Sequence, residues 1–219
     1  MEKCRYIELF AGVGGFHVGL DRVDGDFFKC VMANQWEPGA KDQFAANIYR
    51  KNFPDDNLIN DDICKVNGKD LEAEMIVGGF CCQDYSVVCN KSKSMGIEGK
   101  KGVLWWQVVR LISEMETKPK FLLFENVDRM LISPSRQRGR DFSLIIQSLV
   151  NLGYDIEWRI ITASDYGFPQ RRKRVFIFAF LHNEFKIKDP EKWLYEDGIL
   201  AKAFPVKPSE GYNLWEMDG

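Results

Sequence analysis

Histidine is almost missing from this sequence, with only His17 and His182 among 219 residues. A zinc site built from imidazole and thiolate ligands is therefore poorly supplied, and no metal is expected. No apolar run approaches the roughly 18 residues that a membrane-spanning helix requires. The opening residues, Met1-Glu2-Lys3-Cys4-Arg5-Tyr6-Ile7-Glu8, lack the apolar stretch of a secretory signal, so a cytoplasmic location is expected, with no membrane partner. An excess of positive charge is missing too. Thirty Lys and Arg stand against 32 Asp and Glu, a net charge of -2, whereas tight phosphate contact usually comes with a basic surface. The six cysteines (Cys4, Cys30, Cys64, Cys81, Cys82, Cys89) follow no repeating spacing, which argues for reduced thiols over a disulfide framework. Internal repeats and low-complexity tracts are absent as well.

What is present is an ordinary globular composition, 45% hydrophobic and 28% charged, in a chain long enough for one hydrophobic core. Short apolar runs bounded by Gly, Asn or Asp alternate with longer amphipathic stretches, the pattern of strand and helix units around a parallel sheet. Strands are predicted near Tyr6 to Leu9, Val31 to Ala33, Met75 to Val77, Phe121 to Phe124, Ile156 to Ile161 and Val175 to Phe180. Helices are predicted near Phe16 to Val23, Pro38 to Tyr49, Val103 to Met115 and Asp141 to Leu152. Periodicity fades from Glu184 onward. The division that follows is a compact domain over 1–181 and a tail over 182–219. Positive charge is local: Lys91, Lys93, Lys100 and Lys101, then Arg136, Arg138 and Arg140, then Arg171, Arg172, Lys173 and Arg174.

Six places carry chemistry. The first strand runs into Phe10-Ala11-Gly12-Val13-Gly14-Gly15-Phe16, a glycine-rich turn opening a helix. Gly12, Gly14 and Gly15 permit positive φ and close backbone approach, and a helix N-terminus favours an anion. In such a sheet ligands sit beyond the carboxyl ends of the strands. Two further polar ends are Asn34-Gln35-Trp36-Glu37 and Asp61-Asp62-Ile63. Trp36 and Ile63 are placed to sandwich an adenine, Asp62 to accept from its amino group, and Gln35 or Glu37 to bond ribose hydroxyls. Capping by Asp62 and core packing by Trp36 are the alternatives.

The fourth strand leads into Gly78-Gly79-Phe80-Cys81-Cys82-Gln83, which puts two thiols on a loop, and the next ends in Glu125-Asn126-Val127 at the same sheet edge. A carboxylate and a reachable thiol facing one crevice form a working set. The segment Gln170-Arg171-Arg172-Lys173-Arg174 leads into the last strand, and period-2 alternation sets Arg172 and Arg174 on one face. Surface decoration is the competing reading of those arginines.

Taken in order, Glu8 to Phe16, Gly79 to Gln83, Glu125-Asn126-Val127 and Gln170 to Arg174 resemble the cytosine-5 DNA methyltransferase family, over nearly the whole chain to Leu181. The resemblance implies an α/β fold, a class I S-adenosylmethionine-dependent methyltransferase with a Rossmann-like, mostly parallel mixed sheet and helices on both faces. By that resemblance S-adenosylmethionine is the cofactor. Phe10, Ala11, Gly12, Gly14 and Gly15 hold its methionine end, Trp36 and Ile63 the adenine, Asp62 the adenine amino group and Gln35 the ribose, with Leu104 closing the pocket. Cys82 is the nucleophile toward C6 of a cytosine flipped out of double-stranded DNA, Glu125 bonds N3 and the exocyclic amine, and Arg172 and Arg174 hold the O2 side of the base and the thiol. The stretch Ser86 to Gly102 is the mobile catalytic loop, with Gly96, Gly99 and Gly102 as hinges.

Two positions depart from the family pattern. Cys81 replaces a proline before the nucleophile, removing a fixed φ and adding a second thiol. Gln35 stands where an acidic ribose partner is usual, with Glu37 close by. The family also continues with a target-recognition region and a last segment, and nothing after Leu181 resembles either, so a split or truncated enzyme with a second chain as partner is expected. A catalytically silent cofactor-binding fragment and a tRNA cytosine-5 methyltransferase are the alternatives; a nucleotide-dependent oxidoreductase leaves Cys82, Glu125 and Arg172 without work.

Overall fold

A computed structural model describes residues 3–80, 103–132, 137–182 and 184–205. Seven strands form one sheet: β1 (Cys4–Leu9), β2 (Phe28–Asn34), β3 (Leu58–Ile59), β4 (Met75–Gly79), β5 (Phe121–Val127), β6 (Tyr154–Thr162) and β7 (Lys173–Leu181), in the order β3-β2-β1-β4-β5-β7-β6. The pairs from β3 through β5 are parallel, while β7 runs antiparallel to both β5 and β6. Four helices connect them: α1 (Gly15–Asp24), α2 (Phe44–Asn52), α3 (Val103–Glu114) and α4 (Arg140–Asn151).

The central strands are apolar on both faces because both faces are covered. Ile7, Leu9, Ile76, Leu122 and Phe124 pack with Val108, Leu111 and Ile112 of α3 and with Ile145 and Leu149 of α4. The alternate residues Tyr6, Met75 and Val77 pack against Phe16 and Leu20 of α1. Tyr49 of α2 joins Ala11 and Ala33. Helices thus lie on both faces of a mostly parallel sheet, as the sequence implied. Between β1 and β4 the backbones come close: a Cβ on Gly78 would sit 2.5 Å from the Leu9 carbonyl oxygen, which only glycine tolerates.

The predicted elements are found, with shifted ends. The helix expected from Pro38 begins only at Phe44, since Gly39 takes φ +74° and the Gln43 amide bonds both the N–H and the carbonyl of Glu37, at 2.8 Å each. The two-residue β3 is too short to show alternation. The described residues from Phe185 on form a compact unit of their own, with helical turns at Pro190–Lys192, Trp193–Asp197 and Ile199–Ala203 where the periodicity fades. Asp189 caps the first of these by accepting from Glu191 and Lys192 N–H. Among the described residues no helix is long and apolar enough to cross a membrane.

Candidate active site

The carboxyl ends of β1, β2, β4 and β5 share one edge of the sheet, and the polar segments singled out in the sequence gather there. β1 ends in a backbone reversal in which Phe10 itself takes φ +56°, followed by Gly12 at +57° and Gly14 at +94°. Gly15 differs from its expectation. It is the first residue of α1, with right-handed helical backbone, so the left-handed positions are Phe10, Gly12 and Gly14. A left-handed phenylalanine is costly, and such strain clusters at ligand-gripping turns. Beyond the turn's own neighbouring residues, no atom lies within 4 Å of where a Cβ would stand on Gly12 or Gly15, leaving room beside the turn for a ligand.

This cradle is braced from two sides. Ala11 N–H donates to the Asn34 carbonyl at 2.9 Å, and Gly12 N–H donates to Gln35 Oε1 at 2.8 Å. Gln35 is buried and its carbonyl oxygen is committed to the glycine turn, so in this arrangement that atom supports the cradle. From beneath, Glu8 accepts from Phe16 N–H at 3.1 Å. It is fully buried, a bracing residue that the sequence reading passed over as part of a motif; its signal was a charge within an otherwise apolar strand.

Burial pushes the Glu8 carboxyl up to about 7 from its ordinary 4.5, against the pull of bonds from Phe16, His17 and Tyr49. The folded chain therefore keeps a proton that the unfolded chain gives up. That contribution to stability is complete below pH 4.5 and lost as pH rises through about 7. Melting temperature measured from pH 5 to 8 is expected to fall more steeply in the parent chain than in Glu8→Gln, whose amide does not titrate; parallel curves would contradict it.

Behind Glu8 lies a polar cluster. Tyr49 Oη is 2.8 Å from Asp56, 3.3 Å from His17 Nδ1, 3.5 Å from Glu8 and 3.7 Å from Cys30 Sγ. His17, Cys30 and Asp56 have the composition of a metal site, with donor atoms within 4.8 Å of one another, yet the tyrosine hydroxyl takes up the space between them. His17 also stacks on Phe53 with ring centroids 3.7 Å apart. That stack pins the Phe53 ring where a Cβ on Gly14 would lie 2.3 Å from it. Gly14→Ala combines this clash with a left-handed backbone and is expected to cost about 2–4 kcal/mol of stability, read from denaturant unfolding.

At the β2 and β3 ends, Asn34 donates to the carbonyls of Ile59 and Asp61 at 3.1 and 2.9 Å, locking the 59–61 segment. Asp62 caps the turn Ile63–Lys65, one carboxylate oxygen accepting from Cys64 N–H at 3.0 Å. The capping alternative therefore holds for that oxygen, and the group has a second acceptor to offer. Trp36 is half-buried, whereas Ile63 is only 3% exposed within the main core. Leu104, in the first turn of α3, packs half-buried against the same core.

The β5 end supplies the charged centre. Glu125 pairs in register with Gly79 of β4. Its Oε1 lies 2.7 Å from Arg174 Nε and 3.4 Å from Arg172 Nη2, so the alternation read from the sequence does bring both arginines to one carboxylate. Glu125 and Arg174 are 22% and 24% exposed and Arg172 50%, which makes the Arg174 contact the stronger, less screened one. Asn126, 2% exposed, donates to the Phe80 carbonyl at 2.8 Å. This bond fixes the chain at the residue before Cys81, a link the sequence did not reveal. Cys81, Cys82 and the stretch Ser86 to Gly102 lie outside the described residues.

A glycine cradle at β1, an acid at β5 and an antiparallel β7 beside it define the class I methyltransferase fold. Fission yeast Dnmt2 shares that fold with a TM-score of 0.63 and 18% identity, over 84% of this chain and 51% of that one. A putative DNA modification methyltransferase from an E. coli prophage matches with a TM-score of 0.63 and 26% identity, over 88% and 51%. Residues 4–216 match the family described as C-5 cytosine-specific DNA methylase, and the chain belongs to that family. The type II methyltransferase M.Sau3AI of Staphylococcus aureus is 49% identical over 97% of this chain and 53% of its own length. M.HhaI of Haemophilus parahaemolyticus is 31% identical over 84% and 51%. The chain spans about half the length of the curated relatives it matches.

Proposed function

We propose that this chain is the cofactor-binding and catalytic portion of an enzyme that methylates C5 of cytosine in double-stranded DNA, with Cys82 as nucleophile. The observation that carries the reading is the Glu125 carboxylate. It is held by Arg174 and Arg172, one strand from the segment that leads to Cys82, on the edge where the glycine turn leaves room for a ligand.

The residues fit S-adenosylmethionine. Phe10 to Gly15 would receive its methionine end, Trp36 and Ile63 its adenine, Asp62 the adenine amino group and Gln35 or Glu37 the ribose, with Leu104 over the pocket. Bound there, the cofactor supplies an electrophilic methyl group. Cys82 as thiolate adds to C6 of the flipped base, forming a C–S bond and moving the C5–C6 π pair toward C5, which becomes the nucleophilic carbon. Glu125, oriented by Arg174, bonds N3 and the exocyclic amine as charge develops there. Arg172 contacts the O2 side. After C5 is alkylated, a base removes its proton, and the returning electron pair expels Cys82 and restores the aromatic ring. Arg138, Arg140, Arg171 and Lys173 are exposed and suit phosphate contacts. Target recognition would come from a second chain or a further segment, in keeping with relatives twice as long.

The test is a trap. Duplex DNA with 5-fluorocytosine blocks loss of the C5 substituent, so incubation with S-adenosylmethionine, with and without the product of the neighbouring gene, is expected to give a denaturation-resistant adduct. Cofactor binding without an adduct under either condition would favour a silent fragment, and an adduct on tRNA alone would reassign the substrate.

A further inference from the structure

We propose that Arg110 is a positioning residue for the adenine end of the cofactor site, a role that rests on the reading of Asp62 and Ile63 given above. Arg110 lies on α3 and uses its whole guanidinium. Nη2 donates to the carbonyls of Ile63 and Val66 at 3.0 and 2.9 Å, Nη1 to Glu114 at 2.7 Å and Nε to Gln107 at 2.7 Å. The two carbonyls bracket the turn Ile63–Lys65, which Asp62 caps. Glu114 continues the grip one residue group further along, accepting from Gly68 N–H at 2.9 Å. Gly68 is pressed so close to the helix that a Cβ there would lie 2.5 Å from the Leu111 carbonyl oxygen.

The 61–68 segment has little of its own to hold it. Its 3₁₀ turn Ile63–Lys65 and the turn Gly68–Asp70 that follows it are three residues each, and such turns have weak internal bonding. Besides the burial of Ile63 and Val66 in the core, the segment's polar ties to the rest of the fold come from Asn34 on one side and from Arg110 and Glu114 on the other. A planar fork with fixed donor directions suits two carbonyls and a carboxylate at once, which a lysine ammonium does not reproduce. α3 also carries Leu104 in its first turn. Arg110 therefore ties the residue that would close the pocket to the turn that would receive the adenine, and it touches neither substrate nor cofactor.

The experiment is calorimetric binding to the folded chain of two probes, S-adenosylmethionine and 5′-methylthioadenosine, which lacks the amino-acid end. Arg110→Met keeps the apolar stem and removes the donors; it is expected to raise Kd about tenfold for both probes alike, the loss of charge-assisted bonds that fix the turn. Arg110→Lys is expected to recover part of the loss. Steady-state methylation should show the change in KM for S-adenosylmethionine with kcat held. If Arg110→Met does not fold, Glu114→Gln, which weakens the same grip, is expected to raise both Kd values by a smaller factor. A folded Arg110→Met, or failing that Glu114→Gln, with both Kd values unchanged overturns the proposal and leaves the cofactor reading standing. A parent chain that binds neither probe overturns the cofactor reading and the Arg110 role with it.

Discussion

Cys82→Ser is expected to abolish both the 5-fluorocytosine adduct and methyl transfer, a loss of more than about a thousandfold, while Cys81→Ser keeps both. The asymmetry follows from nucleophile chemistry. A thiol near its ordinary pKa supplies a working fraction of thiolate at neutral pH, and a serine hydroxyl supplies almost no alkoxide. The neighbourhood is suited to the task. Arg172 and Arg174 stand at the sheet edge where β4 ends, and positive charge brought near a thiol favours the thiolate. Mass spectrometry of the trapped adduct after proteolysis assigns the linked residue. Linkage at Cys81, or an adduct that survives Cys82→Ser, would transfer the role to the neighbouring thiol.

Glu125→Gln is the second large effect, a fall of about 10²–10³ in the single-turnover rate of methyl transfer. The amide is nearly isosteric and can still accept from Arg174, so the β5 to β7 pairing should hold and melting temperature should move little. What is removed is a carboxyl group 2.7 Å from Arg174 Nε that accepts from the cytosine amine and can carry the proton that N3, itself an acceptor, needs as negative charge builds up there. DNA affinity is expected to stay near that of the parent, because the contact strengthens only as the thiolate adds. A rate within a factor of about three of the parent would remove Glu125 from the chemistry.

Much of this arrangement was legible from spacing. The strand ends predicted at Leu9, Ala33, Val77 and Phe124, from apolar runs that stop at polar or glycine residues, fall within three residues of the observed Leu9, Asn34, Gly79 and Val127, and parallel order then places those ends together. The alternation at Arg172 and Arg174 foretold a shared target, since a two-residue step returns to the same face. Four features lay beyond such reading. Asn126 reaches Phe80 across 46 positions and Arg110 reaches Ile63 across 47, contacts that depend on tertiary placement and leave no local pattern. Gln35 looked like a ribose partner from its position, yet its carbonyl oxygen turns to Gly12 because the glycine turn leaves an N–H that needs an acceptor in a buried place. Helix α2 starts late for a similar reason: Gln43 satisfies the backbone of Glu37, which stabilises a loop where amphipathic spacing alone suggested helix.

β7 enters the sheet against the direction of its parallel neighbours. Its first residues therefore arrive at the edge where β1, β4 and β5 end, and this is why Arg172 and Arg174 sit at the start of their strand while Glu125 lies near the end of its own. The reverse edge collects the starts of the parallel strands, including the exposed residues Glu116 to Lys118 ahead of β5. Everything attached there hangs on the far side of the sheet from the chemistry. A fluorophore, an affinity handle or an inserted reporter domain belongs between Glu116 and Thr117, where it leaves the edge that carries the glycine turn and Glu125 unobstructed.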